Sequence, residues 1–309
     1  MQPIYNIIIF ILMSNLCLAQ QSVSKGDSLR QEGKLDDAIK AYKELYNKAP
    51  NHQKNTYNLA CAYALTFQKD SAFYYLKKAL KTDSSLWALA DTDLYALIND
   101  SRWSTIENEQ MEKFQKKNGM LKQPEYTKQL LNIILKDQVL DFYVDQAKKF
   151  YMENRYIPQW YYPLGNMKKN IAQDNYSKIQ QLIAKYGWPK YSNVGKLAAD
   201  APLLVINHHE DDSVRKKYLQ QIKQSCLEGE GSCMEYAKIQ DRVLVNDGKP
   251  QIYGMQFRYK LDQTLEPFPI VDPEYVDQRR KKIGLEPLKD YLKRKINYDW
   301  NVEQKKDDE

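Results

Sequence analysis

Glycine is scarce in this chain, with 11 copies among 309 residues, and none of them builds a Gly-x-Gly-x-x-Gly or a Gly-rich phosphate loop. No Gly-x-Ser-x-Gly elbow presents a serine nucleophile either. Histidine is rarer still: His52, His208 and His209 are the whole set. No His-Glu-x-x-His motif exists, and the adjacent His208 and His209 point apart on a helix. Together with Glu210 and Asp211 they have poor ligand spacing, so no metal and no cofactor is expected. No apolar run approaches the ~20 residues of a transmembrane helix. Charge of one sign is never concentrated. The 46 Lys and Arg and 40 Asp and Glu interleave to a net +6, which leaves no basic stripe for nucleic acid. What the chain has in quantity is a hydrophobic content of 43% and 24 tyrosines, enough for packed cores and too much for a disordered chain.

Residues 1–19, MQPIYNIIIFILMSNLCLA, carry a short apolar run from Ile7 to Met13 and end in Cys17-Leu18-Ala19. This is the pattern of a signal peptide cleaved after Ala19. It predicts export, periplasmic or secreted, without stable membrane insertion. Leu16 stands where a lipidated Cys17 would need a small residue, so lipidation is not expected. Export gives the remaining cysteines meaning. Cys61 lies in a helical pattern as a buried free thiol. Cys226 ends the helix face of Val214, Tyr218 and Ile222; Cys233 follows Ser232 in a capping box with Glu235. The two cysteines flank a tight helix–helix turn, which predicts a Cys226–Cys233 disulfide.

A shift of thirty-four residues lays Gly26 on Ala60, Leu29 on Tyr63, Ala38 on Ala72, Tyr42 on Leu76, Leu45 on Ala79 and Pro50 on Ser84. Small residues recurring where paired helices cross, at this period, resemble the tetratricopeptide repeat. The repeat-like region is placed at residues 20–118, with Leu94, Leu97, Ile98, Trp103 and Ile106 closing the stack. Such an array either binds a peptide or protein partner on its concave face or simply caps the next domain.

A helical domain is expected over 122–296 and a disordered tail over 299–309. LLNIILKDQVLDFYVDQAKKFY reads as one long helix with Asp137, Gln138, Asp141 and Asp145 in one sector, facing solvent or lining a cleft. RYIPQWYYPLGN reads as a loop whose Trp160, Tyr161 and Tyr162 stack on a sugar or peptide, or pack onto the domain. Asp174 is placed as the cap of the next helix. His208 extends the apolar stripe of Leu197, Ala201, Leu204 and Val205, so it points inward, either as a core brace or as a site residue. DRVLVNDGKPQIYGMQ, residues 241–256, has the strand–turn–strand pattern of a small β-hairpin near 242–257.

Gly187-Trp188-Pro189, Val194-Gly195, His208, Asp241-Arg242-Val243, the run from Gln251 through Gln256, and Val276-Asp277-Gln278-Arg279-Arg280 followed by Ile283-Gly284-Leu285 occur in order. Together they resemble a bacterial family, domain of unknown function 6624, over roughly residues 125–295. Gly254-Met255-Gln256 stands for the family's Gly-Thr-Gln. Asp137-Gln138 is followed by Leu140-Asp141, where the family has an arginine. The resemblance implies a fold unit and candidate positions, and no activity. The fold class expected is therefore mainly α, a short helical array followed by a helical domain with one β-hairpin. Two functional readings stand. In one, the chain is an exported interaction protein and His208, Asp241 and Arg242 are internal braces. In the other, His208 is a general base oriented by Asp137 or Asp241, in a cleft where Arg242, Gln251, Tyr253 and Gln256 bind the ligand.

Overall fold

The computed structural model describes residues 24–305, so the expected signal peptide, its cleavage point and residues 306–309 lie outside the described residues. The described chain is mainly α-helical, with one antiparallel two-stranded hairpin. It opens with α1 (Lys25–Gln31) packed on α2 (Leu35–Lys48), then α3 (Gln53–Leu65) packed on α4 (Lys69–Ala79). Ser24 starts α1 with a reciprocal capping box, its side chain accepting from Asp27 N while Asp27 accepts from Ser24 N.

The thirty-four-residue echo reappears in the backbone. Helices α2 and α4 begin thirty-four residues apart, at Leu35 and Lys69. The turn before each contains a left-handed residue, Gly33 at φ 76° and Phe67 at φ 60°. Lys34 N donates to Leu29 O and Gln68 N to Tyr63 O, both at 2.9 Å. Ala38 and Ala72 are wholly buried, which allows close helix approach. Gly26 is required for a related reason: a Cβ there would lie 2.5 Å from the Tyr42 ring.

Two 3-10 turns, Trp87–Ala90 and Thr92–Leu97, lead into α5 (Trp103–Asn118) and α6 (Pro124–Gln138). The expected long helix is broken at Val139 and Leu140, and α7 (Asp141–Asn154) follows. Lys168 holds the break, approaching Asp137 O at 3.5 Å and pairing with the Asp141 carboxylate. Helix α8 (Tyr161–Tyr186) absorbs half of the expected aromatic loop, because Pro163 falls in its first turn, where no N–H partner is needed. It runs past Asp174, which therefore caps nothing. Next come α9 (Tyr191–Val194), α10 (Lys196–Ala199), α11 (Ala201–His208), α12 (Asp212–Leu227) and α13 (Cys233–Asn246). Pro202 sits in the first turn of α11 and starts that helix rather than kinking a longer one.

The hairpin is not where the sequence pattern puts it. Residues 242–245 belong to α13, whose buried face carries Tyr236, Ile239 and Val243. Asn246-Asp247-Gly248 ends that helix: Gly248 has φ 72°, its N–H donates to Val245 O, and Lys249 N donates to Leu244 O. The real strands are β1 (Phe257–Tyr259) and β2 (Leu265–Pro267), with Arg258 opposite Glu266. A 3-10 turn (Pro273–Tyr275), α14 (Val276–Lys282) and α15 (Leu288–Ile296) complete the fold. The expected disordered tail is ordered as far as residue 305. Lys305 N donates to Glu274 O at 2.8 Å, and Gln304 exchanges bonds with Asp277 N and Pro273 O at 3.0 Å.

Two hydrophobic cores result. The first runs from Ala38 and Leu59 through Tyr126, Leu130 and Ile179 to Leu204 and Val205, crossing residues 118–122 without interruption. The second joins Leu203 and Ile206 to Ile222, Ile239, Val276, Leu288 and Leu292. Helix α11 lies between them, with one face in each.

Candidate functional site

His208 closes α11, and its Nδ1 meets Oδ2 of Asp137 from the last turn of α6. The carboxylate can only accept, so Nδ1 is the donor in this pair. Asn175 of α8 donates Nδ2 to the other carboxylate oxygen at 3.4 Å. Burial pushes the Asp137 carboxyl up, yet the adjacent His208, then Lys168 and Asn175, outweigh it and hold it below the ordinary value. The side chains of His208 and Asp137 are 7% and 2% exposed, so the pair is nearly sealed.

One residue earlier, the Asn207 carbonyl gathers two guanidinium groups. Arg215 donates Nη2 at 2.9 Å and Nε at 3.3 Å, and Arg242 donates Nη1 at 2.8 Å. Arg215 also reaches His209 O and the Asp212 carboxylate. These cations satisfy the last carbonyls of α11 and complement the negative end of its dipole. Burial first, and the Arg215 charge second, pull the Arg242 guanidinium down from its ordinary value.

Asp241 serves the 251–256 loop. Its Oδ1 accepts from Ile252 N at 2.8 Å and Tyr253 N at 3.1 Å; its Oδ2 accepts from Tyr253 N at 3.1 Å and Met255 N at 2.9 Å. Burial raises this carboxyl to about 6, against the pull of those amides and of Arg280. Gln251 closes the loop, accepting from Gln256 N at 2.8 Å and donating to Gln256 O at 3.1 Å and Phe268 O at 2.9 Å. Gln256 clips it to α13 through Lys238 O at 2.9 Å. The Tyr253 ring lies edge-on to Tyr236, with 6.0 Å between centroids. Beneath the loop, the buried Arg280 donates to Tyr253 O at 2.5 Å and Glu286 O at 2.7 Å.

The residues singled out in the sequence thus fall into two groups. Asp137 and His208 meet, and Arg242 joins their helix through Asn207. Asp241, Gln251, Tyr253 and Gln256 meet one another, folded into the support of a loop. Asp137, not Asp241, supplies the carboxylate on His208 Nδ1. Residues that sequence reasoning passed over are Lys168, Asn175, Asn207 and Arg215; Arg280 entered only within the family motif, without a role. Arg215 and Arg280 adjoin or continue apolar helix stripes, at Val214 and Val276, and a cation at such a position signals a buried anchor.

Elsewhere, Cys226 and Cys233 form the expected disulfide, with Cα atoms 4.8 Å apart, across the turn between α12 and α13. Ser232 caps α13, accepting from Glu235 N at 3.2 Å. Cys61 is free and buried. Its sulfur and the carboxylates of Asp91 and Asp93 place ligand-type atoms within 4.8 Å of one another. Arg30 pairs with Asp93 and Tyr57 donates to Asp91 at 2.7 Å, so the cluster already has its cation and donor. His209 turns away from His208 and lies against the Tyr176 ring, 4.6 Å between centroids.

Residues 143–302, from within α7 to the tail that binds α14, match the family described as Family of unknown function (DUF6624). The chain belongs to that family. No curated protein and no solved structure matches it. The match includes His208, Asp241 and the 251–256 loop; Asp137 and the helix pairs α1–α4 precede it.

Proposed function

We propose that this chain is an exported interaction protein that binds a peptide or protein partner through helices α1–α4, with the DUF6624 region as its rigid base. The observation that carries this reading is Phe67. At the position equivalent to Gly33, the chain holds a phenylalanine that is 74% exposed, with φ 60°. A bulky residue in left-handed backbone is costly, and such strain persists where the side chain is needed. Tyr74 and Trp87 are exposed nearby in sequence. The thirty-four-residue recurrence supports a tetratricopeptide-like pairing, and the disulfide together with the N-terminal apolar pattern supports export. The polar candidates of the second half are engaged inside the fold, as expected of braces.

The test is in-cell crosslinking of the full chain, followed by identification of the crosslinked polypeptide and a direct binding measurement with it. Phe67→Gly is expected to weaken that binding about ten-fold while the fold is retained. Unchanged affinity would remove α1–α4 from the interface.

A second reading has one observation in its favour. A carboxylate on Nδ1 fixes an imidazole as a general base acting through Nε2. Turnover of an ester, amide or phosphodiester probe that vanishes in His208→Gln, with stability nearly intact, would establish it.

A further inference from the structure

Helix α7 and the first half of α8 form an arm with few buried residues, while the second half of α8 packs into the first core through Ile179 and Leu182. Between residues 141 and 174 only Ala147 and Pro158 are buried. At the tip, where Arg155 turns the chain with φ 63°, Tyr156, Trp160 and Tyr162 are 59%, 44% and 60% exposed. The charge there is one-sided. Residues 154–173 contain Arg155, Lys168 and Lys169 and no acid, in a chain with 40 acids. Lys168 pairs with Asp141 and Lys169 with Glu210 at the base, which leaves Arg155 as the cation of the tip, with the exposed Glu153 two residues before it in the last turn of α7.

We propose that this tip docks on the headgroup region of an anionic lipid bilayer, with Tyr156, Trp160 and Tyr162 in the interface and Arg155 against the phosphates. Tyrosine and tryptophan suit that boundary because each ring has an apolar body and a polar tip. The tip is a convex helix turn. Three rings of about 150–250 Å² each, roughly half exposed, offer on the order of 300 Å², well below the ~800 Å² per partner of a stable protein interface. That area matches a shallow, reversible contact in which one cation adds attraction to the anionic surface. No helix among the described residues is long and apolar enough to cross a membrane, so the contact is peripheral.

The experiment is vesicle flotation of the full chain with phosphatidylcholine alone and with about one-third phosphatidylglycerol. Wild type and variants share residues 1–23, so binding through that segment cancels in the comparison. Partitioning is expected to be about five-fold tighter on the anionic vesicles, to fall about five-fold in Arg155→Gln, and to fall at least about ten-fold in Tyr156→Ser/Trp160→Ser/Tyr162→Ser. Far-UV circular dichroism should not change. Should the triple variant misfold, Trp160→Phe decides: a vesicle-induced blue shift of tryptophan emission should be present in wild type and absent there. Flotation unchanged by the triple variant, or no flotation at all, would overturn the proposal. So would retention on dextran sulfate with none on anionic vesicles, which would assign the tip to a soluble anionic polymer.

Discussion

Phe67 and His208 show what single residues do in this fold. Phe67 stands in left-handed backbone where its counterpart is Gly33. Replacing it with glycine removes the clash between Cβ and the carbonyl, at the cost of a more flexible unfolded chain. Phe67→Gly is therefore expected to raise stability by about 0.5–1 kcal/mol in urea unfolding. Loss of stability would mean that the exposed ring packs usefully at home. His208→Ala should do the reverse. It leaves the buried Asp137 carboxylate without its His208 hydrogen bond, so destabilisation of about 2 kcal/mol or more is expected in the same assay. A change under about 1 kcal/mol would instead mark a pair held for chemistry rather than for the fold. The inward aim of His208 was legible from its spacing to Leu204 and Val205. Its partner was not, because Asp137 lies 71 residues away and helical periodicity orders only neighbours along one helix.

At the scale of elements, the helix pairs α1–α2 and α3–α4 keep the thirty-four-residue spacing, whereas the punctuation misleads. Asn246-Asp247-Gly248 satisfies both a hairpin turn and a helix terminator, since each needs a residue with φ above zero at the glycine. What decides is the run before it. Val243 continues the face of Tyr236 and Ile239, and that face is buried in the second core. Asp137 and Asp141 sat in one helical sector on the assumption of an unbroken helix; the bend at Val139-Leu140 puts Asp137 against His208 and Asp141 on Lys168. The cysteine spacing was legible because a tight turn brings two helix ends together whatever the tertiary context. Closing that loop of about eight residues contributes ~2.5 kcal/mol on the chain-entropy account. Cys226→Ser/Cys233→Ser should lower the unfolding free energy by about that amount without changing the helical circular dichroism. A loss near zero would show that Ser232 and its capping bond already hold the turn.

Across the whole molecule, α11 ties the two cores together, and its ends carry opposite electrostatic histories. At its start, burial raises the Asp200 carboxyl to about 7, helped by the Glu235 charge, while the Tyr191 hydroxyl at 3.4 Å and Lys238 pull the other way. Asp241 on α13 is raised to about 6. The ordinary value for both is 3.8. Each group therefore holds its proton more tightly folded than unfolded. Over the window from about pH 4 to 7 the native state binds more protons, so the unfolding free energy falls as pH rises. Asp137 has the opposite sign. Its lowered folded pKa contributes stability above 3.8 that is lost only as pH falls through the folded value. Because α11 belongs to both cores, these effects should act on one cooperative transition. Urea unfolding at about pH 4.5, 6 and 7.5 is expected to show declining stability across the series for wild type. Asp200→Asn keeps an acceptor for Tyr191 and cannot ionise, so it should gain stability at the highest pH and flatten the decline. A wild-type profile that rises toward pH 7.5, or an Asp200→Asn profile parallel to it, would mean that Asp200 is ionised in the fold and that its neighbours, not burial, set its charge.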